Sequence, residues 1–158
     1  MKGQTPVVRL LNQVLTAELT SINQYFLHAR ICKNWGLIAL DKVMYRKSIL
    51  DMKQSDSLIE RILFLEALPN LQMLGALRIG EDTAEILDCN RQLEEEQTSL
   101  LKAAIVTCEQ AQDFVSRELL VAILDAEEEH LDWIETQHYQ ITHMGLENYL
   151  AAQVVAGD

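Results

Sequence analysis

The sequence predicts an all-α protein: a four-helix bundle with a long crossover between its second and third helices and a short fifth helix near the C-terminus. Three observations lead there. Leu, Glu, Ala and Gln dominate a chain of 158 residues with only two prolines and six glycines, a composition that favours helix. Apolar residues recur at helical spacing through four long segments. An irregular stretch, residues 66 to 82, separates the first two segments from the last two. A short loop would make helices two and three antiparallel neighbours, whereas a stretch of this length can cross the bundle end to end.

The first helix spans about residues 5 to 34, with Leu11, Leu15, Leu19, Ile22, Phe26 and Leu27 on one broad stripe, and "NWG" at 34 to 36 ends it. The second runs from about 37 to 64. In "EALPNLQMLGALRIGED", Pro69 and two glycines break any helical continuation. "DTAE" places Asp82 as an N-cap with Glu85 three residues on. The third helix follows to about 111. The fourth runs from near Asp113 to near Gly145, with no Gly or Pro at the junction between them. "LENYLAAQVV" is amphipathic and forms the fifth. No linker, repeat or low-complexity tract interrupts the chain, so residues 1–158 are expected to form one domain with a sizeable core.

A formal net charge of −11 and a pI near 4.7 argue against nucleic-acid backbone binding and suit a protein that handles cations. Cys32, Cys89 and Cys108 show no CxxC or zinc-type spacing, so they read as ordinary residues of a reducing cytosol. No apolar run reaches the length of a membrane span, and the first residues contain no signal-type apolar region. A cytoplasmic protein without membrane contact is expected.

A bundle of this ferritin-like kind can hold two metal ions when two helices supply one Glu each and two supply a Glu-x-x-His pair. The spacing puts both members of a pair on one helix face. Carboxylates bridge and balance the cations, and imidazoles complete each ion's shell. The fourth helix has such a pair, Glu127 and His130, in "AEEEHLDW". The first offers Glu18, and the third offers Glu94 within "LEEEQ". Where the second helix should carry the other pair stand Asp51 and Gln54. Each element alone is commonplace, since "LEEEQ" also fits a solvated face. One candidate per helix, in order and at mid-helix, is the combined signal. Met52 follows Asp51 and so points about 100° away. By periodicity it reads as packing, on a surface shared with Tyr45, Ile49, Asp56 and Ile59 and flanked by Leu19, Ile22, Asn23 and Phe26 of the first helix.

Taken whole, "INQYFLHAR", "ERILFLE", "LPNLQ", "DFVSRELL", "EEEH" and "GLENYL" resemble the bacterioferritin pattern over essentially the full chain. The resemblance implies a hollow shell of twenty-four subunits storing ferric mineral, a ferroxidase centre in each subunit and haem b between two-fold-related subunits. It places the di-iron ligands at Glu18, Asp51, Gln54, Glu94, Glu127 and His130, and a haem axial ligand at Met52. The haem pocket falls on Leu19, Ile22, Asn23, Phe26, Tyr45 and Ile49. Tyr25, one heptad after Glu18, becomes an accessory in oxidation or a core tyrosine. The chain departs from the family where Asp51 and Gln54 replace Glu and His. Asp is one methylene short and Gln is a poor iron ligand, so the resemblance implies an incomplete di-iron site. A single ion would then be held by Glu94, Glu127 and His130. Arg46, Lys47 and Leu50 fall where the family carries His and acidic residues facing the cavity, which implies an inner wall poorer in iron binding. Leu68, Pro69, Glu81 and Glu85 match a docking place for an electron-delivering bacterioferritin-associated ferredoxin. Three readings follow: a storage subunit co-assembled with a second, ferroxidase-competent subunit type, a self-sufficient ferroxidase with an altered site, and a haem protein or scaffold that only helps build a shell.

Overall fold

The computed structural model describes residues 1–155. Four long helices, α1 (Thr5–Asn34), α2 (Ile38–Phe64), α3 (Thr83–Gln110) and α4 (Phe114–Met144), are followed by a short α5 (Leu146–Gln153). The expected boundaries hold to within two residues at each long helix. The expected single domain, 1–158, extends three residues beyond the described part.

Pro6 sits in the first turn of α1, where its missing N–H costs nothing. Asp82 accepts from the Glu85 N–H at the start of α3, as the capping pattern predicts, and Asp113 accepts from the Ser116 N–H at the start of α4. Arg61 of α2 also reaches Asp113 and Ser116, tying the end of α2 to the start of α4. Three helix ends share one turn geometry. After α1, Gly36 takes a φ of +80° while Leu37 N–H bonds back to Cys32 O. Glu66 after α2 and Gln112 after α3 adopt the same left-handed conformation, with Ala67 bonding to Ile62 O and Asp113 to Cys108 O.

α1 packs mainly on α2 and α3 mainly on α4, while the backbones of α2 and α3 do not approach one another among the described residues. That diagonal placement requires the crossover to travel the bundle's length, and α1 guides it. Asn12 Oδ1 accepts from Asn70 N–H (2.8 Å), Thr20 Oγ1 from Gly75 N–H (2.8 Å), Gln24 Oε1 from Arg78 N–H (3.1 Å) and His28 Nε2 from Gly80 N–H (3.1 Å). The partners advance in register, so the crossover runs parallel to α1. At its end Gly80 lies so close to α3 that a Cβ would sit 2.4 Å from the Ile86 nitrogen, which only glycine tolerates.

The apolar core divides in two. One cluster gathers Leu11, Leu15, Leu58, Ile62, Leu101 and Leu120, and the other Tyr25, Ala29, Leu40, Met44, Leu87 and Tyr149. Alongside them the bundle buries the polar groups Glu18, Lys47, Asp51, Gln54, Glu94 and Glu127.

Candidate metal centre

Glu18, Asp51, Glu94 and Glu127, one carboxylate from each long helix, are fully or almost fully buried. Carboxylate oxygens of Glu18, Asp51 and Glu127 lie within 4.8 Å of one another. Burial of like charges has a price. It raises Glu18 well above the ordinary carboxylate range, with Asp51 and Glu127 adding to the effect. It also raises Asp51 to about 6 and Glu127 to about 8, although a nearby cation pulls both down.

That cation is Lys47. Its side chain does not face an inner wall, as the sequence suggested. It is buried, 4% exposed, with Nζ 2.9 Å from Glu127 Oε2, 3.4 Å from Glu94 Oε1 and in direct contact with Asp51 Oδ1. Burial opposes the charge on Lys47, yet Asp51, Glu94, Glu127 and Glu18 together hold it protonated. The position follows from helix geometry: Lys47 stands one turn before Asp51, on the same face. Neighbouring Arg46 and Leu50 are exposed. Each Asp51 oxygen already holds one partner, the second accepting from Ser21 of α1, so a metal ion would have to share it with these donors.

Gln54 completes the α2 contribution. With its amide nitrogen turned inward it donates to Glu18 Oε2 (2.9 Å), Glu18 Oε1 (3.3 Å) and Glu127 Oε1 (3.1 Å). Opposite, the Tyr25 hydroxyl donates to Glu94 Oε1 at 2.7 Å, and burial followed by the Glu94 charge raises its pKa well above the usual value. The Lys47 ammonium lies 5.0 Å from the Tyr25 ring centre. His130 meets Tyr25 edge-on at 5.1 Å and stacks on Trp133 at 5.5 Å. Burial, reinforced by Lys47, lowers its pKa to about 3, so the ring is neutral, and Nε2 has no hydrogen-bond partner.

A ferritin-like domain model matches residues 8–144. The chain is 42% identical over 151 residues to the bacterioferritin of Mycobacterium leprae, covering 96% of this chain and 95% of that protein. Bacterioferritin BfrA of Mycobacterium tuberculosis (strain H37Rv) matches to the same identity and coverage. A bacterial ferritin of Synechocystis is 40% identical over 155 residues, 98% of this chain and 99% of that protein. The chain belongs to the bacterioferritins. Iron storage is the function that this membership supports.

The bacterioferritin di-iron arrangement does not fit these residues unchanged. Glu18, Asp51, Gln54, Glu94 and Glu127 meet directly or through Lys47, and His130 packs on Tyr25 beside them. An ammonium, however, already lies among the carboxylates, and the α2 pair offers a carboxylate engaged on both oxygens and an amide in place of an imidazole. The intact donors Glu94, Glu127 and His130, the expected seat of a retained ion, lie on the side that Lys47 fills.

The haem-type face lies on the other side of α1 and α2. Met52 is 53% exposed, and Phe26, Tyr45 and Asn23 are exposed around it, with Leu19, Ile22 and Ile49 partly so. Phe26 and Tyr45 stand 6.4 Å apart, and the Arg30 guanidinium lies over both rings. Exposed aromatic and thioether side chains on one face suit coverage by a flat apolar group or a second copy. This donor chemistry is compatible with haem, for which Met52 would be the residue that reaches iron. Leu68 and Pro69 line a groove between the crossover and α1, while Glu81 lies at a separate pocket with Trp35 and Leu146. Among the described residues no helix is long and apolar enough to cross a membrane.

Proposed function

We propose that this chain is an iron-storage subunit of a bacterioferritin-type shell of twenty-four subunits in the cytoplasm. It carries haem b through Met52 and depends for ferrous-iron oxidation on co-assembled subunits of a second type with a complete centre. The observation that carries the reading is the Lys47 ammonium inside the carboxylate set. Two ferrous ions must sit close together to reduce one dioxygen, and each needs anionic or imidazole donors. Here a fixed positive charge repels a second cation, and Gln54 offers no imidazole. Iron entering such a shell would be oxidised at partner subunits and deposited in the shared cavity, with the haem face as a route for electrons from a small ferredoxin.

A shell made of this chain alone, supplied with haem, tests the reading through oxygen-dependent oxidation of Fe2+. Slow, non-saturating oxidation is expected. Fast oxidation with a stoichiometry of two irons per subunit, abolished by His130→Ala, would overturn it. The haem part is tested by Met52→Leu, which changes volume little. Haem should be lost with the fold intact, and retention at the original stoichiometry would remove the assignment.

A second reading, a self-sufficient ferroxidase, draws on one feature. A cavity of about 310 Å³ lies against Lys47, lined also by Arg46, Glu129, His130 and Trp133. Withdrawal of the lysine into it would free the position beside Glu94, Glu127 and His130.

A further inference from the structure

We infer that the buried centre is a one-cation site, in which the Lys47 ammonium permanently occupies one position and a single hard divalent cation binds beside it among Glu18, Asp51, Glu127 and the side-chain oxygen of Gln54. The inference rests on the preceding reading in that it takes Lys47 to stay in place.

Charge is the first argument. Four carboxylates face one ammonium, so three negative charges are in excess when all are ionised. Buried charges of one sign are paired, protonated or bound to metal. Lys47 attends to Asp51, Glu94 and Glu127, and it makes no hydrogen bond or ion pair with Glu18. The carboxylate least served by the ammonium is therefore Glu18, at the end where three carboxylate oxygens converge.

Gln54 is the second argument. It is 8% exposed, and its only polar neighbours on the inner side are carboxylate oxygens of Glu18 and Glu127. With the nitrogen inward the amide hydrogen-bonds both carboxylates. With the oxygen inward it faces carboxylate oxygens alone, an arrangement that needs a proton or a cation between them. A half-turn of the amide thus converts a hydrogen-bonded empty site into a ligated one at little positional cost, since nitrogen and oxygen occupy nearly the same places. An imidazole at this position could not present a carbonyl oxygen.

The donor chemistry then selects the ion. Three carboxylates and an amide oxygen suit Mg2+, Ca2+ or Mn2+ over ions that favour nitrogen. His130 does not join this set. It lines the same cavity as Lys47, on the ammonium's side of the centre. Glu127 is fully buried, and with Oε2 2.9 Å from Lys47 and Oε1 3.1 Å from the Gln54 amide it faces both the ammonium and the Glu18 end.

Anaerobic Mn2+ titration of the haem-loaded shell, read by equilibrium dialysis and by electron paramagnetic resonance, tests the site. One saturable Mn2+ per chain is expected, lost in Glu18→Gln and weakened about tenfold or more in Gln54→Leu. His130→Ala should leave it within about twofold, because the imidazole is not a ligand. Lys47→Met should admit a second ion. Should that variant fail to fold, the Gln54 and His130 variants decide the question without it. Two saturable ions in the unmodified chain, none at all, or loss on His130→Ala would overturn the inference. A shell that oxidises iron fast yet takes up one Mn2+ would sink the function proposed above and leave this site standing. A slow shell that binds no Mn2+ would do the reverse.

Discussion

Helices α2 and α4 each send an i, i+3 pair into the same buried layer, and they answer the layer's charge in opposite ways. α4 contributes Glu127 and His130, a carboxylate and a neutral imidazole whose Nε2 has no partner. That pair brings donor atoms and no counter-charge. α2 contributes Asp51 and Gln54 and, one turn earlier, Lys47, which supplies a cation covalently attached to the chain. The difference shows that a carboxylate layer built for metals can persist when one helix carries its own counter-charge. On the function proposed above, the bundle then holds together with fewer ions and gives up the chemistry of two.

The largest expected effect breaks the comparison at its root. Lys47→Met keeps an unbranched side chain one atom shorter and removes its charge, leaving Asp51, Glu94 and Glu127 without their ammonium. Breaking one partner out of a buried ion pair costs about 3–5 kcal/mol, so thermal unfolding in the presence of a chelator should move down strongly. His130→Ala on α4 should cost clearly less under the same conditions, since it removes a neutral ring with an unused nitrogen. Equal losses would mean that the two helices contribute alike. Mn2+ should restore part of the Lys47→Met loss through binding to the folded state.

The next effect is on rate. Asp51→Glu with Gln54→His gives α2 the same kind of pair that α4 has, yet the ammonium remains between the carboxylates. The double variant should oxidise iron little faster than the unmodified shell. Adding Lys47→Met should raise the initial rate by about 10–100-fold, the range typical of restoring metal-site interactions. A fast phase already present in the double variant would show that Lys47 yields to iron.

Much of this was legible in the sequence, and the exceptions have physical causes. The four long helices and the cap at Asp82 followed from apolar periodicity and the D-x-x-E pattern, and the convergence of Glu18, Asp51, Glu94 and Glu127 followed from one acidic residue per helix. Lys47 was misplaced because a lysine in a helix ordinarily points to water, and only its position one turn before Asp51 hinted otherwise. Its neighbour Arg46, which is exposed, encouraged the wrong assignment. The α3–α4 junction was faint because Gln112, and not glycine, takes the left-handed position there. The grip of α1 on the crossover was invisible, since Asn12, Thr20, Gln24 and His28 look like ordinary polar positions until the opposing backbone is in place.

His28 gives a smaller effect that separates the centre's electrostatics from the rest of the fold. Its Nε2 accepts from Gly80 N–H while Nδ1 pairs with Asn90 Oδ1, so the folded state needs the neutral ring. Burial accordingly lowers its pKa below 6.5, and the hydrogen bond to Asn90 opposes this only in part. As pH falls below 6.5 the unfolded chain takes the proton first, so stability present above that value is lost toward the folded-state pKa. The loss should be about 0.5–1.5 kcal/mol, the worth of the Gly80 hydrogen bond. Between pH 7.5 and 5.5, His28→Gln should show a smaller drop in melting temperature than the unmodified chain. An identical drop would place the acid sensitivity elsewhere.

The smallest effect concerns how α4 is brought to the centre, and it supplies the control for the rest. Gln112 holds a φ of +57°, which costs a residue with a Cβ about 1–2 kcal/mol. Glycine relieves that strain but loses about 0.5–1 kcal/mol through the greater freedom of its unfolded chain. Gln112→Gly should therefore stabilise by about 0.5–1 kcal/mol. The turn's bonds, Gln112 N–H to Glu109 O and Asp113 N–H to Cys108 O, involve backbone alone and survive the change. Asp113 continues to cap α4 and to bind Arg61 of α2, so the two helices keep their relation at the centre. Mn2+ binding and haem content should be unchanged in this variant while its unfolding midpoint rises. A shift in Mn2+ affinity would show that the centre responds to global stability, and the Lys47 and His130 effects could then no longer be compared as local properties of α2 and α4.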